Sequence, residues 1–120
     1  MIRIPEFQCD EGWWGIINEA IEKISEVVGG NYFEFEQIKE KLGGLRIYYR
    51  FDPNVIKVDI AASIRDIVKK AEAKASVTCE ITGEQGSLCR KDAGWLKTLC
   101  SEKAKELGYT IVTENPINKI

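Results

Sequence analysis

Three of the four cysteines, Cys79, Cys89 and Cys100, fall in the stretch VTCEITGEQGSLCRKDAGWLKTLCSEKAKEL, residues 77–107. Thiolate sulfur is a preferred ligand of zinc, and a structural zinc site usually takes two pairs of soft ligands, each presented by one tight turn. Cys79 opens one such pair and Cys100 a second. The partner positions hold Thr82 and Lys103, and neither is a normal zinc ligand. Cys89 and Cys9 are the remaining sulfurs, at irregular spacing. The residues therefore allow three states: a structural zinc, a disulfide or reactive thiol, or small buried thiols that replace a metal-held contact. The last is the expectation, so no metal ligand and no cofactor are assigned.

Other chemistry is narrowed by what is missing. The chain has no histidine, which excludes Ser-His and Cys-His nucleophile pairs and any histidine metal ligand. P-loop, G-x-G-x-x-G and G-x-S-x-G motifs are absent. Carboxylates are plentiful, but no pair is spaced to act as acid and base. An enzyme is not expected.

A binding face is the second chemical candidate. In YFEFEQIKEKLGGLRIYYRF, residues 32–51, the aromatic and branched residues favour strands, and Gly43-Gly44 suits a two-residue hairpin turn. That turn would set Leu42 against Leu45, Lys41 against Arg46 and Lys39 against Tyr48. Ile38, Leu42, Leu45, Ile47 and Tyr49 then share one face, with Glu40 as the exception. Gln37, Lys39, Lys41, Arg46, Tyr48 and Arg50 share the other. Arginine binds phosphate or carboxylate with two bonds, and an adjacent tyrosine can stack on a base or a partner side chain. Cations on an exposed strand face also simply discourage edge-to-edge aggregation. Phe35, Ile38 and Leu42 fit a helical stripe as well, so a helix competes with the hairpin here.

The elements that position these groups follow from periodicity. Met1 to Glu11 reads as an extended lead-in, with Asp10 as a plausible N-cap. From Trp13 to Val28, Trp14, Ile17, Ile21, Ile24 and Val28 recur at helical spacing, and Gly29-Gly30 stops the helix. Trp14 is expected in the core. Trp13 points off the stripe and is a candidate interface anchor. Asp52-Pro53-Asn54 is a turn, and Val55 to Val58 a possible short strand. A second helix is expected from about Asp59 to Ala75, with Ile60, Ile64, Ile67, Val68, Ala71 and Ala75 on its apolar stripe. Turn signals at Thr82-Gly83 and Gln85-Gly86 follow. Then come a strand from Ser87 to Arg90, a turn at Asp92 to Gly94, a return strand from Trp95 to Leu99, and a helix from Ser101 to Leu107 stopped by Gly108. Trp95 is expected to pack over the knuckle. Tyr109 to Thr113 would form a last strand, and the tail from Pro116 is expected to be loosely held.

Length and composition bound the whole. The chain has 120 residues, 44% hydrophobic and 30% charged. These values suit one domain, residues 1–120, with a real core. Seventeen basic and nineteen acidic residues give a net charge of −2, so any pull on nucleic acid or anionic lipid needs a local patch. No apolar run nears the ~18 residues of a membrane span, and the N-terminus has no signal-peptide core. A cytoplasmic location without membrane contact is expected. The fold class is α+β: two main helices on a small antiparallel sheet, with a C-terminal knuckle, hairpin and helix in the outline of a degenerate zinc-binding unit.

The segments QIKEKLGGLRIYY (residues 37–49), CEITGEQGSLC (79–89) and GWLKTLC (94–100) resemble a family of small, uncharacterised proteins of bacteria and their prophages, over much of the chain. Members often carry C-x-x-C-G at the first knuckle and C-x-x-H after the tryptophan. Thr82 and Lys103 depart from both, so the resemblance implies the outline of a metal site without its ligands. It implies an accessory setting such as a phage, plasmid or toxin-immunity locus. The expected role is non-enzymatic binding of a protein partner, as an immunity or inhibitor protein, through Lys39, Lys41, Arg46, Tyr48, Arg50 and Trp13. The alternative is a small zinc-ribbon-like module for nucleic acid or nucleotide, using the same basic face.

Overall fold

A computed structural model describes residues 2–112. The chain is α+β, with α-helices and two small three-stranded sheets. A lead-in strand β1 (Phe7–Gln8) and a 3-10 turn (Glu11–Trp13) precede helix α1 (Trp14–Val28). Strands β2 (Phe33–Lys41) and β3 (Gly44–Phe51) form a hairpin, followed by helix α2 (Val58–Ala75). The C-terminal unit holds β4 (Ser87–Lys91), β5 (Trp95–Leu99), helix α3 (Ser101–Leu107) and β6 (Thr110–Ile111). Among the described residues no helix is long and apolar enough to cross a membrane.

The two long helices form where apolar residues recur every three to four positions. Ile17, Ile21, Ile24 and Val28 of α1 and Ile64, Val68, Ala71 and Ala75 of α2 are buried together with Phe33, Phe35, Ile38, Leu45 and Ile47 of the hairpin. Residues 55–57 are not a strand. The amides of Val55 and Ile56 both donate to the Asp52 carbonyl at 3.0 Å, and buried Ile56 anchors the turn. The first sheet has the order β1-β2-β3 and is mixed, because β1 runs parallel to β2. That corrects the expected purely antiparallel sheet: Phe7 joins the core opposite Ile38.

The hairpin turn sits one residue earlier than expected, which moves each residue's partner by two positions. Lys41 pairs with Gly44, Glu40 with Leu45, Lys39 with Arg46 and Gln37 with Tyr48. The turn residues are Leu42 and Gly43, both with positive φ (53° and 83°), as a type I′ turn requires. Leu42 is consequently exposed and does not join the core face. Two features select this register. Gly43 lies against the second sheet, where a Cβ would come within 2.6 Å of Leu88 Cδ1 and 3.3 Å of the Lys97 amide. The Glu40 carboxylate accepts the Gly43 amide at 2.7 Å, which explains an acidic residue on the core side. A bulge between Phe35 and Gln37 then switches parity. It lets Phe35 and Ile38 both face inward despite their helix-like spacing of three.

The adjacent tryptophans exchange their expected roles. Trp13 is fully buried, and Trp14 is 43% exposed. The Trp13 indole donates to the Thr78 carbonyl at 2.8 Å, so a buried polar partner from the distant knuckle decides which ring goes inside. Trp14 lies edge-on to Phe7 at the margin of the core.

The second sheet has the order β5-β4-β6. Thr78 bridges to Gln85, closing the knuckle. Helix α3 ends at Gly108 in the left-handed conformation (φ 79°). Cys79, Cys89, Leu99, Cys100 and Ala104 form a small core of their own, with Ile81 and Tyr109 packed against it. Trp95 is 67% exposed and does not cover the knuckle. It pairs with Lys91 at the turn end of the hairpin, whereas Leu99, next to the knuckle, pairs with Ser87. Four residues of strand, about 13 Å, separate the two ends. The last strand is shorter than expected, and Thr113 and Pro116 lie outside the described residues.

Candidate functional site

Lys39, Lys41, Arg46, Tyr48 and Arg50 do share the open face of the first sheet, as strand alternation places them opposite the core residues Ile38, Leu45 and Ile47. β1 extends this face with Gln8, which stands beside Lys39, and the Gln37 amide donates to the Gln8 side chain at 3.1 Å. Trp13 does not belong to the face, because its ring is buried between α1 and the knuckle.

The face has two electrostatically different ends. At one end Arg50 is occupied: its Nη2 lies 3.2 Å from Glu34 Oε2 and its Nε 3.9 Å from Glu36 Oε2. Glu34 also accepts the Tyr32 hydroxyl, and Tyr32 and Arg50 together hold the Glu34 carboxyl below its ordinary pKa. At the hairpin end the cations are open. Among the described residues no carboxylate lies within salt-bridge distance of Lys39, Lys41 or Arg46. The Lys39 ammonium stands 5.8 Å from the centre of the Tyr48 ring, within cation–π range. Arg46 spends one N–H on the Leu45 carbonyl at 3.0 Å and keeps the rest of its guanidinium donors.

The knuckle is the second candidate. All four cysteines are free thiols. The Thr82 amide donates to Cys79 Sγ at 3.4 Å, and the Thr82 hydroxyl approaches Cys100 Sγ at 3.9 Å. Thr82 therefore sits where a second metal ligand of the first pair would stand. Lys103 turns along its helix to Glu106, at 3.2 Å. Burial alone would raise the Cys79 pKa. The Thr82 hydroxyl and the amides of Thr82, Cys100 and Ile81 outweigh it, holding the thiol below its ordinary value. Burial does push Cys89 up, and it pushes Cys9, with Glu80 and Asp10 nearby, to about 11. Among the described residues no group of three or more His, Cys, Asp or Glu side chains is arranged to hold a metal ion.

What joins the knuckle to the rest was not visible in sequence. Glu80 is 2% exposed. Its Oε2 accepts the Asp10 amide at 3.0 Å, and its carbonyl accepts the Gly12 amide at 2.7 Å. Its Oε1 has no well-directed hydrogen bond but faces Lys97 Nζ at 3.1 Å, and Lys97 also reaches Asp10 at 3.3 Å. Burial alone would lower the Lys97 pKa; the two carboxylates outweigh it and hold the ammonium above its ordinary value. Thr98 adds a hydroxyl bond to the Gly43 carbonyl at 2.7 Å. Gly12 has no room for a side chain, since a Cβ there would press on the Cys79 and Glu80 carbonyls. A glutamate between Cys79 and Thr82 carries no sequence signal of burial.

Comparison with protein-family models, with curated proteins and with solved structures finds no match to this chain.

Proposed function

We propose that the protein is a non-enzymatic interaction module whose open sheet face docks an acidic segment of a protein partner. The observation that carries this reading is the cluster of Lys39, Lys41 and Arg46, which among the described residues have no carboxylate partner, beside Tyr48, on a chain of net charge −2. Such a cluster is a local departure from the overall charge and supplies guanidinium and ammonium donors to carboxylates. Tyr48, 39% exposed, adds a rigid aromatic contact of the kind that anchors interfaces. The resemblance to small bacterial and prophage proteins fits an immunity or inhibitor role in a mobile element.

Nucleic acid is the second reading, favoured by a tyrosine between cations on an open sheet face. The acidic end of the same face weighs against it. Glu34 and Glu36 would confront a continuous phosphate chain, while a compact acidic patch on a protein can avoid them.

The test uses the full chain and a variant with Lys39, Lys41 and Arg46 all changed to Glu, exposed to a nuclease-treated extract under cross-linking, and separately to single-stranded oligonucleotides. The protein reading expects a discrete cross-linked partner with wild type, insensitive to nuclease and absent with the variant. Equal cross-linking by both proteins sinks it. Binding only to oligonucleotides, falling steeply with salt, moves the assignment to nucleic acid.

A further inference from the structure

We propose that the Cys79 and Cys100 thiols form a two-coordinate site for a soft monovalent cation of the copper(I) class. Two sulfurs twenty-one positions apart in sequence meet the same residue, Thr82, Cys79 through its backbone amide at 3.4 Å and Cys100 through its hydroxyl at 3.9 Å. The nearby third thiol is directed elsewhere, since Cys89 Sγ donates to the Ser87 carbonyl at 3.3 Å. The other two knuckle positions hold Thr82 and Lys103, and no three-ligand group exists among the described residues. This donor set is wrong for tetrahedral zinc and for hard cations, which need more ligands or oxygen. Two thiolates in an otherwise apolar cluster suit a soft d¹⁰ cation that accepts two sulfur ligands.

The site has the supporting features a metal needs. The Thr82 backbone amide is already directed at Cys79 Sγ, at 3.4 Å. Cys79 is buried, Cys100 is 9% exposed, and exposed Thr82 stands over both. The cation enters as the Thr82 hydroxyl gives up its contact with Cys100. The Lys103 ammonium is held by Glu106 and does not compete for the sulfurs. On binding, each thiol that is protonated loses its S–H proton to solvent and gains a sulfur–copper bond. Up to two protons are released, and copper stays in the +1 state.

The experiment is an anaerobic titration of the full chain with copper(I), with bicinchoninate as competing chelator, followed by alkylation in denaturant and mapping of the labelled cysteines. One copper per chain is expected, with Cys79 and Cys100 protected and Cys9 and Cys89 labelled. Cys100→Ser should lower the affinity about 100-fold. Cys89→Ala and Thr82→Ala, which keep both sulfurs, should stay within about tenfold of wild type. The mapping needs only the wild-type protein, so a Cys79 variant that does not fold leaves the test intact. No copper uptake, protection centred on Cys9 or Cys89, or a Cys100→Ser variant that binds like wild type would each overturn the proposal.

Discussion

The two halves of the molecule are stabilised in different ways. The helix–sheet half buries seventeen residues in one cluster, most of them large and branched or aromatic. The knuckle half buries five, and three of those are cysteines. A core that small normally needs a metal or a disulfide. Here the knuckle is held from outside, by the Trp13 indole, the Gly12 amide, the Glu80–Lys97–Asp10 charges and the Thr98 hydroxyl on the hairpin tip. The knuckle's small core is thus supplemented by contacts to the larger half. The comparison also separates the two candidate sites. The basic face belongs to the half that folds on apolar packing and can change its surface freely. The thiol pair belongs to the half whose structure depends on contacts across the junction.

The comparison can be broken first at Trp13, which belongs to both halves. Trp13→Ala should cost about 3–5 kcal/mol in urea unfolding, while Trp14→Ala, on the exposed neighbour, should cost less than about 1 kcal/mol. Equal losses would mean that the knuckle does not depend on the Trp13 anchor. Next is Lys97→Met, which leaves Glu80 buried without a counter-charge. The expected loss is about 2–3 kcal/mol, below the full buried-pair cost because Lys97 is partly open to solvent. The sign of its pH dependence follows from a raised pKa. The ammonium contributes fully below the ordinary lysine value of 10.5 and loses that contribution as pH climbs through the higher folded value. Wild type should therefore weaken above about pH 10.5 more steeply than Lys97→Met. Gly12→Ala should act locally, at about 1–3 kcal/mol. Its signature is faster thiol labelling of Cys79 and Cys100 with helix content retained. Labelling at the wild-type rate would show that the junction tolerates a side chain there. Smallest of all, charge reversal at Lys39, Lys41 and Arg46 should leave the unfolding midpoint in place, so that loss of partner binding reports the face alone.

Much of the scaffold was legible in the residues. The stripes of α1 and α2, the bounds of β5 and α3 and the stop at Gly108 follow from period and turn chemistry acting within a few residues. The members of the basic face were legible too, since alternation survives a two-residue change of register. Their neighbours were not. Lys39 stands beside Arg46 because Leu42-Gly43, not Gly43-Gly44, makes the turn, and that choice depends on Gly43 lying against β5. The bulge at Phe35–Gln37 likewise hid a strand behind helix-like spacing.

The sequence by itself determined the α+β class, the order of elements and which residues are able to carry charge or bind a soft ion, because these depend on local periodicity and side-chain type. Only the tertiary structure decided that Trp13 rather than Trp14 goes inside, that Trp95 stays out, that Glu80 is buried against Lys97, and that Cys79 and Cys100 converge on Thr82. The Trp13, Glu80 and cysteine outcomes are set by partners from another element, 65 residues away for Trp13 and 17 for Glu80, and such a partner leaves no mark in the local pattern.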